Sequence, residues 1–172
     1  MSKQTKIDAV RADFIEKSGL ISQAEGLPRI AGRVFGMLIF DGEMVSFGDL
    51  ATRLQVSRAS ISTSIRLLEE RGLVKRRAKP GQRGDFFQLA TNPYATLLEG
   101  VHKRTRSTRE EIVRTVAALP EDTGAVARLS EYADFYASLE TAVAVALDEL
   151  QSRKSKNPVP APKTPEEQSH ED

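Results

Sequence analysis

Nucleophiles, metal ligands and phosphate-cradling loops are scarce in this 172-residue chain, while short hydroxyl side chains and arginines gather in one stretch. There is no cysteine, and His102 and His170 are the only histidines, so thiolate chemistry, disulfides and thiolate zinc sites are excluded. Neither an HExxH nor an HxxxE pair occurs, nor a glycine-rich phosphate loop, and His102 within HKRTR reads as a surface residue rather than a metal ligand. No catalytic residue, metal or cofactor is expected. The stretch that remains is SRASISTSIR, from Ser57 to Arg66. Its hydroxyls and guanidiniums suit the hydrogen-bonding edges of bases and the oxygens of phosphates, which is recognition chemistry rather than bond making. Lys79, Gln82 and Arg83 form a second group of donors further along.

These side chains need a helix to hold them, and the sequence provides one. Ser57 is a good N-cap, Gly72 a good left-handed stop, and Ile61, Ile65 and Leu68 form an inward stripe between them. Advancing 100° per residue from Ile61 puts Ala59, Ser62, Thr63 and Arg66 on the far side, with Ser60 on a flank. Small residues there let a helix seat deeply in a groove. Arg58, at the N-terminal end, suits either a base or a phosphate. Leu67 projects away from the core, and is expected to pack under the following hairpin. Taken alone, a serine-rich helix with arginines is equally a surface helix; the order of its neighbours decides. Ahead of it, Ser46 and Asp49 resemble a capping box opening the helix FGDLATRL, with Phe47, Leu50, Ala51 and Leu54 on one face, and Gln55-Val56 makes a tight turn. Behind it, Leu73–Arg77 and Asp85–Leu89 read as two strands joined by AKPGQRG, a basic hairpin with Lys79 and Arg83 around its tip. Such a wing reaches an adjacent minor groove or phosphate. Lys75, Arg76 and Arg77 fit a solvated strand edge as well as they fit DNA contact.

Charge follows the same division. From residue 28 to 84 eleven basic side chains face five acidic ones, whereas from 118 to 150 one basic faces seven acidic. The first segment can meet a polyanion and the second should avoid one. An amphipathic helix is expected over roughly residues 3–24, carrying Ile7, Val10, Phe14 and Ile15, and a buried central helix from Pro28 through IAGRVFGMLIF. Gly32 and Gly36 within it serve close helix packing. Asn92-Pro93 opens a helix to about Leu119, Pro120 breaks it, and a last helix runs from about Thr123 to Lys154. That helix spans about 45 Å, more than so small a domain covers alone, and Leu129, Tyr132, Ala133, Tyr136, Leu139, Val143, Ala146, Leu147 and Leu150 recur along it. Pairing with a second chain is expected, the alternative being an intramolecular bundle. The proline-rich segment from residue 155 onward should be disordered.

The runs PRIAGRVFGMLIF, FGDLATRLQVSRASISTSIRLLEERGLVKR and KPGQRGDFFQL followed by NPY, in that register, resemble the winged-helix regulators of the MarR class, most closely the GbsR-like subgroup. The resemblance covers about Pro28 to Leu98. It implies a homodimer on a pseudo-palindromic operator, with terminal helices of both chains forming the dimer body, and in some members a choline-type effector. The expected fold is therefore mainly α: a winged helix-turn-helix domain with a small β-hairpin wing, plus N- and C-terminal helices forming a dimerisation body. Its expected parts are an N-terminal dimerisation helix over 1–26, a DNA-binding domain over 27–92, C-terminal dimerisation helices over 93–154 and a tail over 155–172. The DNA-binding residues are Ser57, Arg58, Ser60, Ser62, Thr63, Arg66, Lys79, Gln82 and Arg83. Phe14, Phe35, Tyr94, Tyr132, Phe135 and Tyr136 are candidates to line an effector pocket, since aromatic faces hold a quaternary ammonium, although aromatics at helical spacing serve equally as core. The expected function is a transcriptional regulator, a repressor in sense, with duplex DNA, a second copy of the chain and a small-molecule effector as partners. The competing reading is a winged-helix protein-interaction module that binds no DNA. No run approaches the ~18 apolar residues of a membrane span, and the charged N-terminus MSKQTKIDAVRADFIEK lacks the apolar core of a signal peptide, so a cytoplasmic protein without membrane association is expected.

Overall fold

The computed structural model describes residues 2–121 and 123–156, and these divide into two compact units that meet in sequence at Pro93 and Tyr94. The first unit opens with α1 (Lys3–Ala24), capped by the Ser2 hydroxyl, which accepts the Thr5 amide at 3.2 Å. Pro28 takes the N-cap of α2 (Arg29–Asp41), where its missing N–H leaves no bond unmade, and Gly42 ends the helix at φ 65°. The central position expected for α2 is borne out: Ala31, Val34, Met37 and Leu38 are wholly buried.

After α2 come β1 (Val45–Ser46), α3 (Phe47–Leu54), α4 (Arg58–Glu70), β2 (Val74–Arg77) and β3 (Phe86–Leu89). The three strands form one antiparallel sheet in the order β1-β3-β2, with Val45 opposite Phe87 and Arg76 opposite Phe87 on the other edge. The two-stranded hairpin expected from the sequence thus gains a third strand. β1 is only two residues long, too short for any alternation to announce it. Leu50, Ile61, Val45 and Phe87 complete the buried core between α2, the two short helices and the sheet.

Where α1 runs along α2, Gly32 and Gly36 face Ser18 and Ser22, and the backbones approach so closely that neither glycine has room for a Cβ. Two ion-pair groups flank this contact. Arg11 donates from Nε and Nη2 to the two carboxylate oxygens of Asp41, at 2.6 Å each, and Arg53 of α3 pairs with Glu43 at 2.6 Å beside them. The hydrogen bond to Asp41 holds the Arg11 guanidinium above its ordinary pKa. Glu16 lies between Arg29 at 2.9 Å and Arg33 Nε at 2.7 Å. The second of these is a close charge pair rather than an aligned hydrogen bond, because the buried Nε finds no acceptor along its N–H. Arg33 Nη2 then donates to the Leu54 carbonyl at 3.0 Å, closing the C-terminus of α3 from a neighbouring helix.

The second unit consists of α5 (Pro93–Ala117) and α6 (Gly124–Lys156), joined by a turn in which the Thr123 amide donates to the Pro120 carbonyl at 3.1 Å. Glu140 of α6 receives Arg109 Nε at 2.8 Å, with His102 Nε2 3.9 Å away. Ala133 and Val143 are buried, whereas Tyr132, Phe135, Leu139 and Val145 on the same helix remain exposed. Among the described residues no helix is long and apolar enough to cross a membrane. The tail expected to be disordered lies outside the described residues from 157 onward.

Candidate nucleic-acid interface

The helix-turn-helix is built from its caps. Ser46 accepts the Asp49 amide at 3.1 Å and donates its own hydroxyl to Asp49 Oδ2 at 2.7 Å. This differs from a full capping box, because the short aspartate receives the hydroxyl instead of reaching back to the Ser46 amide. After α3, Gln55 adopts φ 54°, the one non-glycine residue with positive φ among those described, and the Val56 amide returns to the Ala51 carbonyl at 3.1 Å. Ser57 then caps α4, accepting the Ser60 amide at 3.1 Å, and the two hydroxyls share a hydrogen bond of 2.8 Å. Ile61, Ile65 and Leu68 are buried, joined by Ser64, while Ala59, Ser62, Thr63 and Arg66 are exposed as the projection expects. Leu67, placed under the hairpin by the sequence reading, is half-buried.

The end of α4 sets the direction of the wing. Gly72 stands at φ 67°, and the Leu73 amide reaches back to the Leu68 carbonyl at 2.9 Å, a left-handed closure that side chains other than glycine resist. The tip is a turn with Pro80 and Gly81 at its centre, Gly81 at φ 74°, closed by the Gln82 amide on the Lys79 carbonyl at 3.1 Å. Gln82 and Arg83 are exposed; Lys79 is half-buried, its Nζ 5.9 Å from the Phe86 ring centre.

The third strand brings the start of α3 against this wing. The Phe47 amide donates to the Asp85 carbonyl at 3.0 Å, and the Phe47 and Phe87 rings lie 6.3 Å apart. The Arg58 guanidinium sits 4.8 Å above the Phe47 ring, an attraction between cation and π face that aims the arginine before any ligand arrives. Arg58 and Arg83 consequently line one open recess, together with Ser46, Phe47, Gly48, Gly84 and Asp85. Phe47 is a residue the sequence assigned only to an inward face. Nothing in a helical projection shows an aromatic ring supporting an arginine from the next helix.

Not every base in this segment is available to a polyanion. Arg29, Arg33, Arg53 and Arg76 are each matched by carboxylates. Arg58, Arg66, Arg71, Lys75, Arg77, Lys79 and Arg83 make no ion pair among the described residues, and all belong to α4, its C-terminal turn or the wing. Of the expected effector residues, Phe14 meets Phe40 at a ring separation of 6.0 Å and Phe35 is half-buried in α2. Tyr94 is exposed at the start of α5. Tyr132, Phe135 and Tyr136 cluster on α6 with ring separations of 5.1 and 5.3 Å, and a 3.3 Å hydrogen bond to Tyr132 pushes the Tyr136 phenol above its usual range.

Two short capped helices at a tight turn, followed by an antiparallel basic hairpin, define a winged helix-turn-helix protein. The comparisons with known proteins agree with that class. Residues 25–83 match the family model described as MarR family. The HTH-type transcriptional regulator MmpR5 of Mycobacterium tuberculosis is 32% identical over 148 residues, which cover 82% of this chain and 87% of that protein. A crystal structure described as a transcriptional regulator is 30% identical, superposes with a TM-score of 0.69, and is matched over 86% of this chain and 99% of its own. The chain belongs to the MarR family: it is a DNA-binding, winged-helix transcriptional regulator rather than an enzyme.

Proposed function

We propose that the chain binds a pseudo-palindromic operator as a homodimer and represses transcription, with α4 in the major groove and the wing loop on the adjacent backbone. The observation that carries this reading is the outward face of α4. Ala59, Ser62, Thr63 and Arg66 are exposed there, while Arg58 and Arg83 line one recess beside it. Ser62, Thr63 and Arg66 suit base edges, Ser57 and Ser60 the phosphates at the helix N-terminus, and Lys79, Gln82 and Arg83 the backbone beside the wing. Arg58, resting on Phe47, reaches either. The domain assignment follows: residues 27–92 read DNA, while 1–26 and 93–154 build the dimer. Exposed Tyr132, Phe135, Leu139 and Val145 on a helix of about 50 Å support a second copy as its cover. Two reading heads then stand about 34 Å apart, one turn of duplex.

Placement nearest the GbsR-like subgroup rests on the motifs between Pro28 and Leu98. An effector of quaternary-ammonium type is supported by the aromatic cluster on α6. Selection of bound genomic fragments by purified protein tests the reading directly, because a dimer recovers sites with two-fold symmetry. On such a site Arg58→Ala or Arg66→Ala should cost about 1–3 kcal/mol where the side chain meets a base. Undiminished binding by a folded Arg58→Ala/Arg66→Ala protein would remove α4 as the reading helix. A protein-interaction module, in contrast, recovers no fragment and shows none of the salt dependence of phosphate contacts. A chain ending at residue 120 should sediment as a monomer; a persistent dimer places the main interface elsewhere.

A further inference from the structure

Arg76 is the basic side chain of the wing that is already held by two carboxylates. Its Nη2 and Nε donate to the two carboxylate oxygens of Glu69, at 3.1 and 3.3 Å, gripping the last turn of α4. Its Nη1 donates to Asp85 Oδ2 at 3.0 Å, where the wing loop re-enters β3. The guanidinium carbon lies 5.5 Å from the centre of the Phe87 ring, directly across the ladder. One side chain thereby ties together the reading helix, β2 and β3. Glu69 and Asp85 together outweigh its charge, so the group as a whole carries no positive charge to offer a phosphate.

We propose that Arg76 is a positioning residue: it fixes the angle between α4 and the loop bearing Lys79, Gln82 and Arg83, and neutralises no phosphate itself. The proposal rests on the DNA-binding reading above. When a bridge holds the competent arrangement, losing it lowers the competent population and affinity falls by the same factor. The number of phosphates neutralised does not change, so the slope of log affinity against log salt stays where it was.

Glu69→Gln separates this from the alternatives. Removing an acid beside a polyanion strengthens binding if Arg76 is a phosphate ligand that Glu69 competes for. Positioning requires weaker binding, by about two- to fivefold, the worth of one exposed ion pair. Fluorescence anisotropy on the most enriched duplex from the genomic selection reads both affinity and salt slope. Arg76→Gln, which breaks the bridge to Asp85 as well, should lose at least as much, with an unchanged slope. Equal or tighter binding by Glu69→Gln, or a slope shallower by about 0.9 per subunit in Arg76→Gln, overturns the proposal. Should the wild-type protein recover no duplex, the functional reading fails, and nitrogen-15 relaxation of the free protein decides the remaining question. Amides of residues 78–85 should gain fast motion in Glu69→Gln, and unchanged relaxation refutes the tie between helix and wing.

Discussion

Gly32→Ala is the sharpest test of how α1 is held, because two effects of opposite sign meet at one atom. In an exposed helix interior, alanine in place of glycine stabilises by about 1 kcal/mol. Here a Cβ would lie 2.5 Å from the Ser18 carbonyl oxygen and 2.6 Å from the Ser22 Cβ, with the Ser22 hydroxyl closer still. A Ser22 rotamer change moves only the hydroxyl; the carbonyl and the Cβ move only if the helices separate. Overpacking costs about 1–3 kcal/mol, and contact with a backbone oxygen puts this site in the upper part of that range, so the propensity gain is more than offset and a net destabilisation of about 1–2 kcal/mol is expected. For a chain of this length that is roughly 2–8 °C in melting temperature, measurable by thermal and urea denaturation followed by circular dichroism. Adding Ser22→Gly removes two of the three contacts but not the carbonyl, and should recover only part of the loss. A Gly32→Ala protein more stable than wild type by the propensity increment would refute the close approach of α1 to α2.

Two further substitutions probe the polar contacts. Arg11→Met leaves Asp41, whose side chain is only 11% exposed, without its two-point partner and with Arg53 at 3.8 Å, so a loss of about 1–3 kcal/mol in urea unfolding is expected. Asp41→Asn in that background should restore part of it by removing the uncompensated charge; no recovery would place the cost in packing of the arginine stem. Phe47→Leu keeps an apolar side chain but removes the π face under Arg58, which should lower operator affinity about two- to fivefold. An unchanged affinity would show that Arg58 needs no such seat.

Much of the reading head was legible because its signals are local. Ser57, Gly72 and the spacing of Ile61, Ile65 and Leu68 fix the limits and the inward face of α4 within one short window, and the exposed face follows by rotation. The wing was legible through Pro80-Gly81 and the flanking apolar residues for the same reason. The pairing of β1 with β3 was not, because two residues carry no period and their partner lies some forty positions away. Asp49 holds the position of a capping-box acid, but a side chain one methylene shorter than glutamate accepts the serine hydroxyl and stops there.

The sequence by itself determined the helices, the hairpin, their order and the net basic character of residues 28–84, since caps, turn residues and helical periodicity act through neighbours in the chain. Only the tertiary structure decided which charges remain available. Arg76 and Arg66 are alike in composition, yet Arg76 is held by Glu69 and Asp85 while Arg66 makes no ion pair among the described residues. The seat of Arg58 on Phe47 and the closure of α3 by Arg33 arise the same way. Electrostatic and aromatic partners are chosen by distance in space, and a distance of a few ångströms between separate elements leaves no periodic trace in the sequence.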